Sequence, residues 1–485
     1  MPSVQLEQFK RVTKLLVCTD GGTGDTTLSA DHAKGATTLN VAAGGGTPFA
    51  TGDVFRVGAG EDQTAYVVSS STANTVVIAA PGLKRAYVSG EVVVEQVADQ
   101  MGPIRSAGYA FRPTRETSDE FSADQRLPFV ILRGYGSLRA DFEFAALTLH
   151  NLAFAVGAPR TKVLGAGTAA DPLQFTDDGA SFGSLSNVNV IIEGVLNDDT
   201  PIRVECYGVN VEYVGRRIPL TRGVLSGVPV GIVCGGAVID YSASPFTGTI
   251  TYVATNADVL DGLNDFGYWT PATVGPLSTT TTTATAVGGN TVSLTDATNL
   301  VAGDWFSLGV GNRIEFHQVE SVVALAITTR SRFLRVHPIG TAAVRQASVT
   351  LASLSTDGVV LEFNGAQSEV RTGLRDMAAG LRNGTVALAF AFGLTSFKKA
   401  ALAIATGSAI PAGDVIELLG NLGATNVAGL FSKGLMQGGK TLWVNAWGNI
   451  MDLSATEMTF TNVGDPPIIP IRGRPTSGFQ VLVFP

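Results

Sequence analysis

The sequence predicts a mainly β chain, built as two tandem copies of one β-sandwich or barrel domain, each with a single flanking helix and an inserted small all-β module. Three observations predict it. Gly52-Asp53-Val54-Phe55 recurs as Gly303-Asp304-Trp305-Phe306, Ile218-Pro219-Leu220 as Ile469-Pro470-Ile471, and Ser226-Gly227 as Ser477-Gly478, each 251 positions on. Leu138, Ala140, Phe142 and Phe144 alternate with Arg139, Asp141 and Glu143, and Val386, Leu388, Phe390 and Phe392 alternate with Ala387, Ala389 and Ala391, the period of a strand. Only 15% of the residues are charged, against ~25% in an ordinary domain, while 57 are glycine. So little polar side-chain surface implies extensive burial between subunits. A period of 251 residues is far longer than the ~20–50 residues of a solenoid or propeller unit, so each copy is large enough for a core of its own.

Residues 1–20 carry Lys10, Arg11 and Lys14 but no sustained apolar stretch or small-residue cleavage site, so no secretory signal is expected. Gly21-Gly22-Thr23-Gly24-Asp25 lacks the Lys-Ser/Thr of a phosphate loop and reads as a flexible turn. From residue 31 to 98, Leu39, Val41, the Gly-Asp-Val-Phe turn, Tyr66, Val67, Val68, Val76, Val77 and Ile78 form short strands punctuated by Gly, Ser, Thr and Asn, the first inserted module.

Residues 108–125 are the most charged stretch of the first copy. A solvated loop is the ordinary reading. A long hairpin arm that docks on a neighbouring subunit is the sharper one, and mixed charge at the equivalent residues 364–383 favours it. Arg112, Arg115, Glu116, Asp119 and Glu120 in one copy, with Arg371, Arg375 and Arg382 in the other, are the candidate contact residues between subunits or rings.

After each alternating strand a hydroxyl residue is placed to cap a helix. Thr148 precedes the apolar stripe Leu149, Leu152, Ala153, Val156, and Ser396 precedes Phe397, Ala400, Ala401, Ile404. Asp198-Asp199-Thr200-Pro201 reads as a hairpin turn rather than a metal loop, since no further acids follow at a binding spacing. Val204 with Tyr207-Gly208 matches Val444 with Trp447-Gly448. The uncharged stretch 224–239, broken by five Gly or Pro residues, reads as the closing strand of the first copy and a linker, too short to span a membrane. In the second copy a Thr-rich run at 279–283 leads into a module that repeats the first through Val292, Leu294, Phe316 and Val319. The expected domains are therefore 1–30 with 99–240, a module at 31–98, then 241–278 with 348–485, and a module at 279–347.

A net charge of −8 argues against a protein that grips nucleic-acid backbone. Cys18, Cys206 and Cys234 are odd in number and far apart, which predicts reduced thiols in apolar surroundings and a chain made in a cytosol. His32, His150, His317 and His337 show no ligand spacing, and His150 falls on the predicted first helix as a partly exposed residue. No paired carboxylates recur in both copies, so neither catalysis nor a cofactor or metal is expected.

The strand ending Phe142-Glu143-Phe144, followed by Ala146 to Gly157 (ALTLHNLAFAVG), resembles the strand-to-helix signature of tail tube proteins, also called major tail proteins, of long flexible-tailed bacteriophages. The second copy departs from it, with Lys398-Lys399 where the first has its His-Asn-Leu core. The resemblance implies a phage tail-tube-like β-sandwich or barrel whose copies close a sheet around a channel, with Phe142, Phe144, Phe390 and Phe392 on the ring strands. Single-domain members form sixfold rings, and a duplicated chain would build the same ring as a trimer with pseudo-sixfold symmetry. It further implies a virion protein assembled in the host cytoplasm, partnered by further copies of itself and by tape measure, tail terminator and tail tip proteins. Genomic DNA would pass through without specific binding, no membrane would be entered, and the modules would sit outside. On this reading Arg139, Asp141 and Glu143 are wetted while Ala387, Ala389 and Ala391 pack closely, so the copies are specialised. The alternative is a capsid decoration or baseplate adhesin that binds host surface glycans; an enzyme would need paired carboxylates in a cleft.

Overall fold

The computed structural model describes residues 9–485 except 60–62, 80–81, 103, 121–129, 146, 197–198, 221–226, 242–244, 256–259, 371–379, 395–398, 406–426 and 452–468. The protein is mainly β, in two large and almost wholly antiparallel sheets. The first half runs β1 (Phe9–Thr27), β2 (Thr38–Asn40), β3 (Val54–Val57), β4 (Thr64–Thr72), β5 (Thr75–Ile78), β6 (Val92–Gln100), β7 (Ile104–Glu120), β8 (Val130–Phe144) and helix α1 (Leu149–Ala155). It continues through β9 (Val163–Leu164), β10 (Leu173–Asp177), β11 (Val188–Leu196), β12 (Pro201–Glu212), β13 (Arg217–Leu220), β14 (Val228–Cys234), β15 (Gly236–Asp240) and β16 (Ile250–Val253). The second half runs β17 (Leu260–Pro271), β18 (Ser278–Thr280), β19 (Thr291–Ser293), β20 (Trp305–Leu308), β21 (Glu315–Val323) and β22 (Ala326–Thr329). It ends with β23 (Ala342–Val370), β24 (Gly380–Leu394), helix α2 (Lys399–Ala405), β25 (Val427–Met436), β26 (Thr441–Met451) and β27 (Ile469–Phe484).

The first sheet is ordered β2-β5-β4-β3-β6-β1-β11-β12-β14-β8-β7 and the second opens β19-β22-β21-β20-β23-β17-β25-β26-β27. Strand for strand the two orders correspond. The Gly-Asp turns agree in detail: Gly52 and Gly303 have φ of +93° and +92°, where a Cβ is disfavoured. Asp53 Oδ2 accepts from Ala50 N–H (2.6 Å) and Asp304 Oδ2 from Val301 N–H (3.0 Å). Thr148 caps α1, its Oγ1 accepting from Asn151 N–H at 3.0 Å, and every helical residue except His150 is buried. Ser396 lies outside the described residues.

Pairing register corrects two of the sequence anchors. Val228, Pro229 and Val230 pair with Phe144, Glu143 and Phe142, while Ile469, Pro470 and Ile471 pair with Leu394, Gly393 and Phe392. Gly236 and Asp240 face Tyr207 and Arg203, just as Gly478 and Leu482 face Trp447 and Trp443. The helices start at Leu149 and Lys399, which matches Phe142 and Phe144 to Phe392 and Leu394, two positions later than the sequence pairing with Phe390 and Phe392; the counterpart of Ile469-Pro470-Ile471 is then Val228-Pro229-Val230, and that of Gly478 is Gly236. Ile218-Pro219-Leu220 goes elsewhere: as β13 it joins the other sheet, on Val359–Leu361 of β23. The expected linker after Cys234 is likewise a strand, β15, held on β12.

Two further expectations change. Gly21–Asp25 is no turn but a bulge inside β1, where the register on β6 jumps between Asp20 and Asp25. Glu95 fills it: its Oε2 accepts from Thr23 N–H (2.7 Å) and Gly24 N–H (2.9 Å). Nor does each copy keep a core to itself. One buried cluster joins Leu15, Phe144, Leu152 and Val230 of the first half to Phe266, Leu361, Phe390 and Phe479 of the second. The modules do have separate cores, around Phe55 and Val76 in one and Phe306 and Ile327 in the other, though β6 and β23 run continuously from module into main sheet.

Candidate functional site

The two charged segments form part of long antiparallel hairpins, β7–β8 and β23–β24. Arg112 is exposed and lies 3.8 Å from Asp141. Arg115, Asp119 and Glu120 stand opposite Gly136, Ile131 and Val130, with Glu116 between them, and Arg382 stands opposite Ser368. Arg371 and Arg375 lie outside the described residues. Phe142, Phe144 and Phe390 are at most 5% exposed and belong to the shared core, and Phe392 is placed by its backbone pairing to Val359 and Ile471.

Beside those phenylalanines, the polar positions of β8 are half-exposed, and Arg139 and Asp141 join a chain of ion pairs. Arg216 bridges Asp141 (2.6 Å) and Glu212 (3.5 Å), and Arg139 meets Glu212 at 2.9 Å. In the second half Glu362 takes Arg472 (2.8 Å) and Arg217 (3.0 Å), the latter from the first copy. Its register partner Ala389 is fully buried. Both copies therefore keep this face charged and paired, by different residues.

Strand exchange between the copies is uneven: β16, from the 241–278 segment assigned to the second copy, pairs parallel with β6 of the first, while two strands go the other way. The first copy gives β13 to the edge of β23, and β10 to β27 from Leu173–Val483 to Asp177–Phe479. Phe175 then meets Phe479 at 5.6 Å between ring centroids and Phe182 meets Phe363 at 5.5 Å. The matching edges of the first copy have no such cover. Tyr109–Arg112 of β7, equivalent to Val359–Glu362, pairs only with β8 among the described residues. On the β15 side Ile239 and Tyr241 are 53% and 54% exposed, whereas their counterparts Val481 and Val483, under β10, are 1% and 6% exposed. Nothing in the hydropathy pattern could reveal this, because both strands read as apolar.

A cleft of about 500 Å³ opens between β1, β6, α1 and β16, lined by Thr19, His150, Arg160, Ser186, Thr251 and Tyr252 among others. The rings of His150 and Tyr252 stack at 3.9 Å. Behind them Asp99 is 3% exposed; its Oδ2 lies 2.9 Å from Arg160 Nε, and its Oδ1 has no hydrogen-bond partner. Burial pushes this carboxyl up to about 6, against the opposing pull of Arg160. Asp20, also in the cleft, is clamped by Arg56 at 2.8 Å to each oxygen. Sequence spacing missed this grouping.

It also missed a cluster in the second module, where Glu315 lies 3.2 Å from both His317 and His337. Those histidines are thus paired through space. Among the described residues, no group of three His, Cys, Asp or Glu side chains is disposed to hold a metal ion. Asp199 sits in the β11–β12 hairpin with φ +65° and donates its N–H to the Leu196 carbonyl. The three cysteines are free and buried, and the Cys206 thiol is pushed up by its contact with Cys234 and by burial. No described helix is long and apolar enough to cross a membrane.

No protein-family model matches the chain, and no curated protein matches it. Among solved structures, the Gp54 tailspike of Acinetobacter baumannii bacteriophage AP22, in complex with A. baumannii capsular saccharide, is similar over 17% of this chain and 15% of that one, with 16% identity and a TM-score of 0.15. A likeness so short and so slight carries no argument about fold or function.

Proposed function

We propose that the protein is a structural virion component that closes into rings of three chains and stacks into a phage tail tube, the conduit for the genome. The observation that carries this is the uneven strand exchange: copy one caps the β23 and β27 edges of copy two, and the matching edges of copy one have no such cover among the described residues. Such a contact is heterologous. Repeated between chains it either closes a ring or runs on as a filament. A ring with six copies, as the sequence resemblance implies, needs three chains.

Other features support the reading. The ion-paired face offers arginines already held by carboxylates, which suits a wall that DNA passes without sticking, as does the net charge of −8. Each module occupies one end of its sheet's strand order, and on this reading both stand outside the channel. The hairpin arms, with Arg112 and its neighbours, reach the adjacent subunit or ring. Further copies of the chain are the principal partner, with tape measure, terminator and tip proteins at the ends of the tube. The function is mechanical and needs no bond-making chemistry.

Negative-stain electron microscopy of the purified protein tests this directly. End-on views with an open centre and three pairs of lobes are expected; compact particles without a channel would point instead to a capsid decoration or baseplate adhesin.

A further inference from the structure

Three titratable side chains, brought together by the fold and not by sequence spacing, occupy the middle of the second module. Glu315 Oε2 lies 3.2 Å from His317 Nε2 and accepts from Leu334 N–H at 3.0 Å, while Oε1 lies 3.2 Å from His337 Nε2. The latter pair is at ion-pair distance but not aligned as a hydrogen bond. His317 Nδ1 is 2.8 Å from Ser331 Oγ, and none of the three side chains is more than 1% exposed.

The first module holds a different trio in the same places. Thr64, Tyr66 and Tyr87 stand where Glu315, His317 and His337 stand, 251, 251 and 250 positions earlier. Thr64 Oγ1 bonds Tyr66 Oη at 2.6 Å and also contacts Tyr87 Oη. Burial pushes both phenols up, so that trio keeps its protons at any pH near neutral. The first trio is thus a control once His32 is replaced, since that buried histidine bridges Tyr87 and its Nε2 accepts from Asn40 N–H at 3.0 Å.

What the second trio holds is a short segment that grips the other copy. Residues 331–337 return to the carboxylate through Leu334 N–H, His337 and the Ser331 contact to His317. From this segment Arg332 reaches Asp171 at 2.7 Å and Arg335 reaches Asp178 at 3.0 Å, both on the first copy. Gln174 adds a bond from Arg332 N–H to its Oε1 at 2.8 Å.

We propose that Glu315, His317 and His337 form an acid-sensitive latch, whose protonation frees residues 331–337 and loosens the hold of the second module on the first copy. This inference does not depend on the ring reading. Electrostatics give its direction. Burial alone would raise Glu315, but the two histidines outweigh it and hold the carboxyl down at about 2, so it stays ionised. Burial lowers His317, with Glu315 pulling back only in part. A histidine freed by opening takes up a proton near pH ~6.5, whereas the buried ring resists it. The folded pKa is the lower one, so stability is whole above ~6.5 and falls as pH drops below it. Around the cluster the charged groups are Arg332 and Arg335 with their acids, Arg313, which donates to the Val336 carbonyl, and Arg330 paired with Glu320. Three of these arginines lie on or against the held segment, so an added positive charge gains nothing from them.

Hydrogen exchange on the intact chain between pH 7.5 and 4.5, corrected for intrinsic rates, tests the latch. In a chain carrying His32→Gln we expect the opening equilibrium of residues 331–337 to rise by up to about tenfold per pH unit below ~6.5, the limit for one proton, with the equivalent part of the first module unchanged. Glu315→Thr, His317→Tyr and His337→Tyr together should remove the slope. Equal slopes in both modules, or a slope retained by that variant, would overturn the proposal. Should the variant not fold, NMR titration of the wild-type His317 ring decides: no protonation above pH 6 supports the latch, and protonation above 6.5 in the folded chain overturns it.

Discussion

Glu95 and Arg345 occupy equivalent positions with opposite charge, and the backbone around each is turned to match. Glu95 accepts two N–H groups from the bulge in β1, at 2.7 and 2.9 Å, whereas Arg345 donates to the carbonyls of Val274 and Gly275 at 2.9 and 3.0 Å. A hydrogen bond to a charged group contributes roughly 1.5–3 kcal/mol; at this half-buried site the lower end applies, so Glu95→Ala should cost about 2–3 kcal/mol of local stability. Gly22 offers an independent way to break the same contact. A Cβ there would lie 2.2 Å from the Glu95 carboxyl carbon, and Gly22 has no left-handed φ to add strain of its own. Gly22→Ala should therefore expel the carboxylate and cost about 2 kcal/mol, mostly those same two bonds. A double-mutant cycle read by hydrogen exchange of residues 19–27 should show the double variant little worse than Glu95→Ala alone, a coupling of at least ~1.5 kcal/mol. Additivity within ~0.5 kcal/mol would refute the account of the bulge as a seat for Glu95.

Four other outcomes are expected. Asp99→Asn should stabilise the first copy by up to about 3 kcal/mol at pH 8, since the carboxyl is raised from 3.8 to about 6 and each unit is worth ~1.4 kcal/mol; the penalty is full above pH 6 and gone below 4, so denaturation of the two chains should converge in acid. Thr148→Ala removes the cap of a buried helix and should cost about 1–2 kcal/mol in urea denaturation followed by circular dichroism. Phe175→Ala should cost roughly 3–5 kcal/mol and raise exchange along Phe479–Val483, showing that the copies are stapled together through β10. Ile239→Lys with Tyr241→Lys should leave the monomer folded, because both side chains are exposed, yet abolish assembly in sedimentation; assembly as in wild type would remove β15 from the subunit interface.

What could be read from the sequence was whatever local chemistry decides. Thr148 and its stripe gave a capped helix because the cap and the helix are neighbours, and the Gly-Asp turns were legible because an Asp side chain bonds an amide three residues away. The mainly β class followed from period-two alternation. Tertiary choices were not legible. Apolar-Pro-apolar triplets occur in the first copy at 127–129, 218–220 and 228–230, and hydropathy alone does not choose which matches Ile469-Pro470-Ile471; hydrogen-bond register separates the last two. The histidine cluster was hidden because His317 and His337 reach Glu315 from different segments, and Glu95 because its partners are backbone amides, which every sequence contains.

Divergence between the halves also bears on the open edge. Where the halves differ inside the modules, the surroundings differ to match: Glu95 has amides and Arg345 has carbonyls, and the Thr-Tyr-Tyr trio stands where the other half has Glu-His-His. If β15 worked in water, its side chains should have diverged as exposed edge strands do, toward lysine, proline or charge that blocks pairing. One position follows that pattern, with Asp240 in the place of Leu482. Ile239 and Tyr241, which alternate with it, keep large apolar side chains where the second half has Val481 and Val483 under β10, and Ile239 holds its register opposite Val204 of β12. An edge with two large exposed apolar side chains, in the half that has no internal donor there among the described residues, is the edge that the proposed ring would have a neighbouring chain cover.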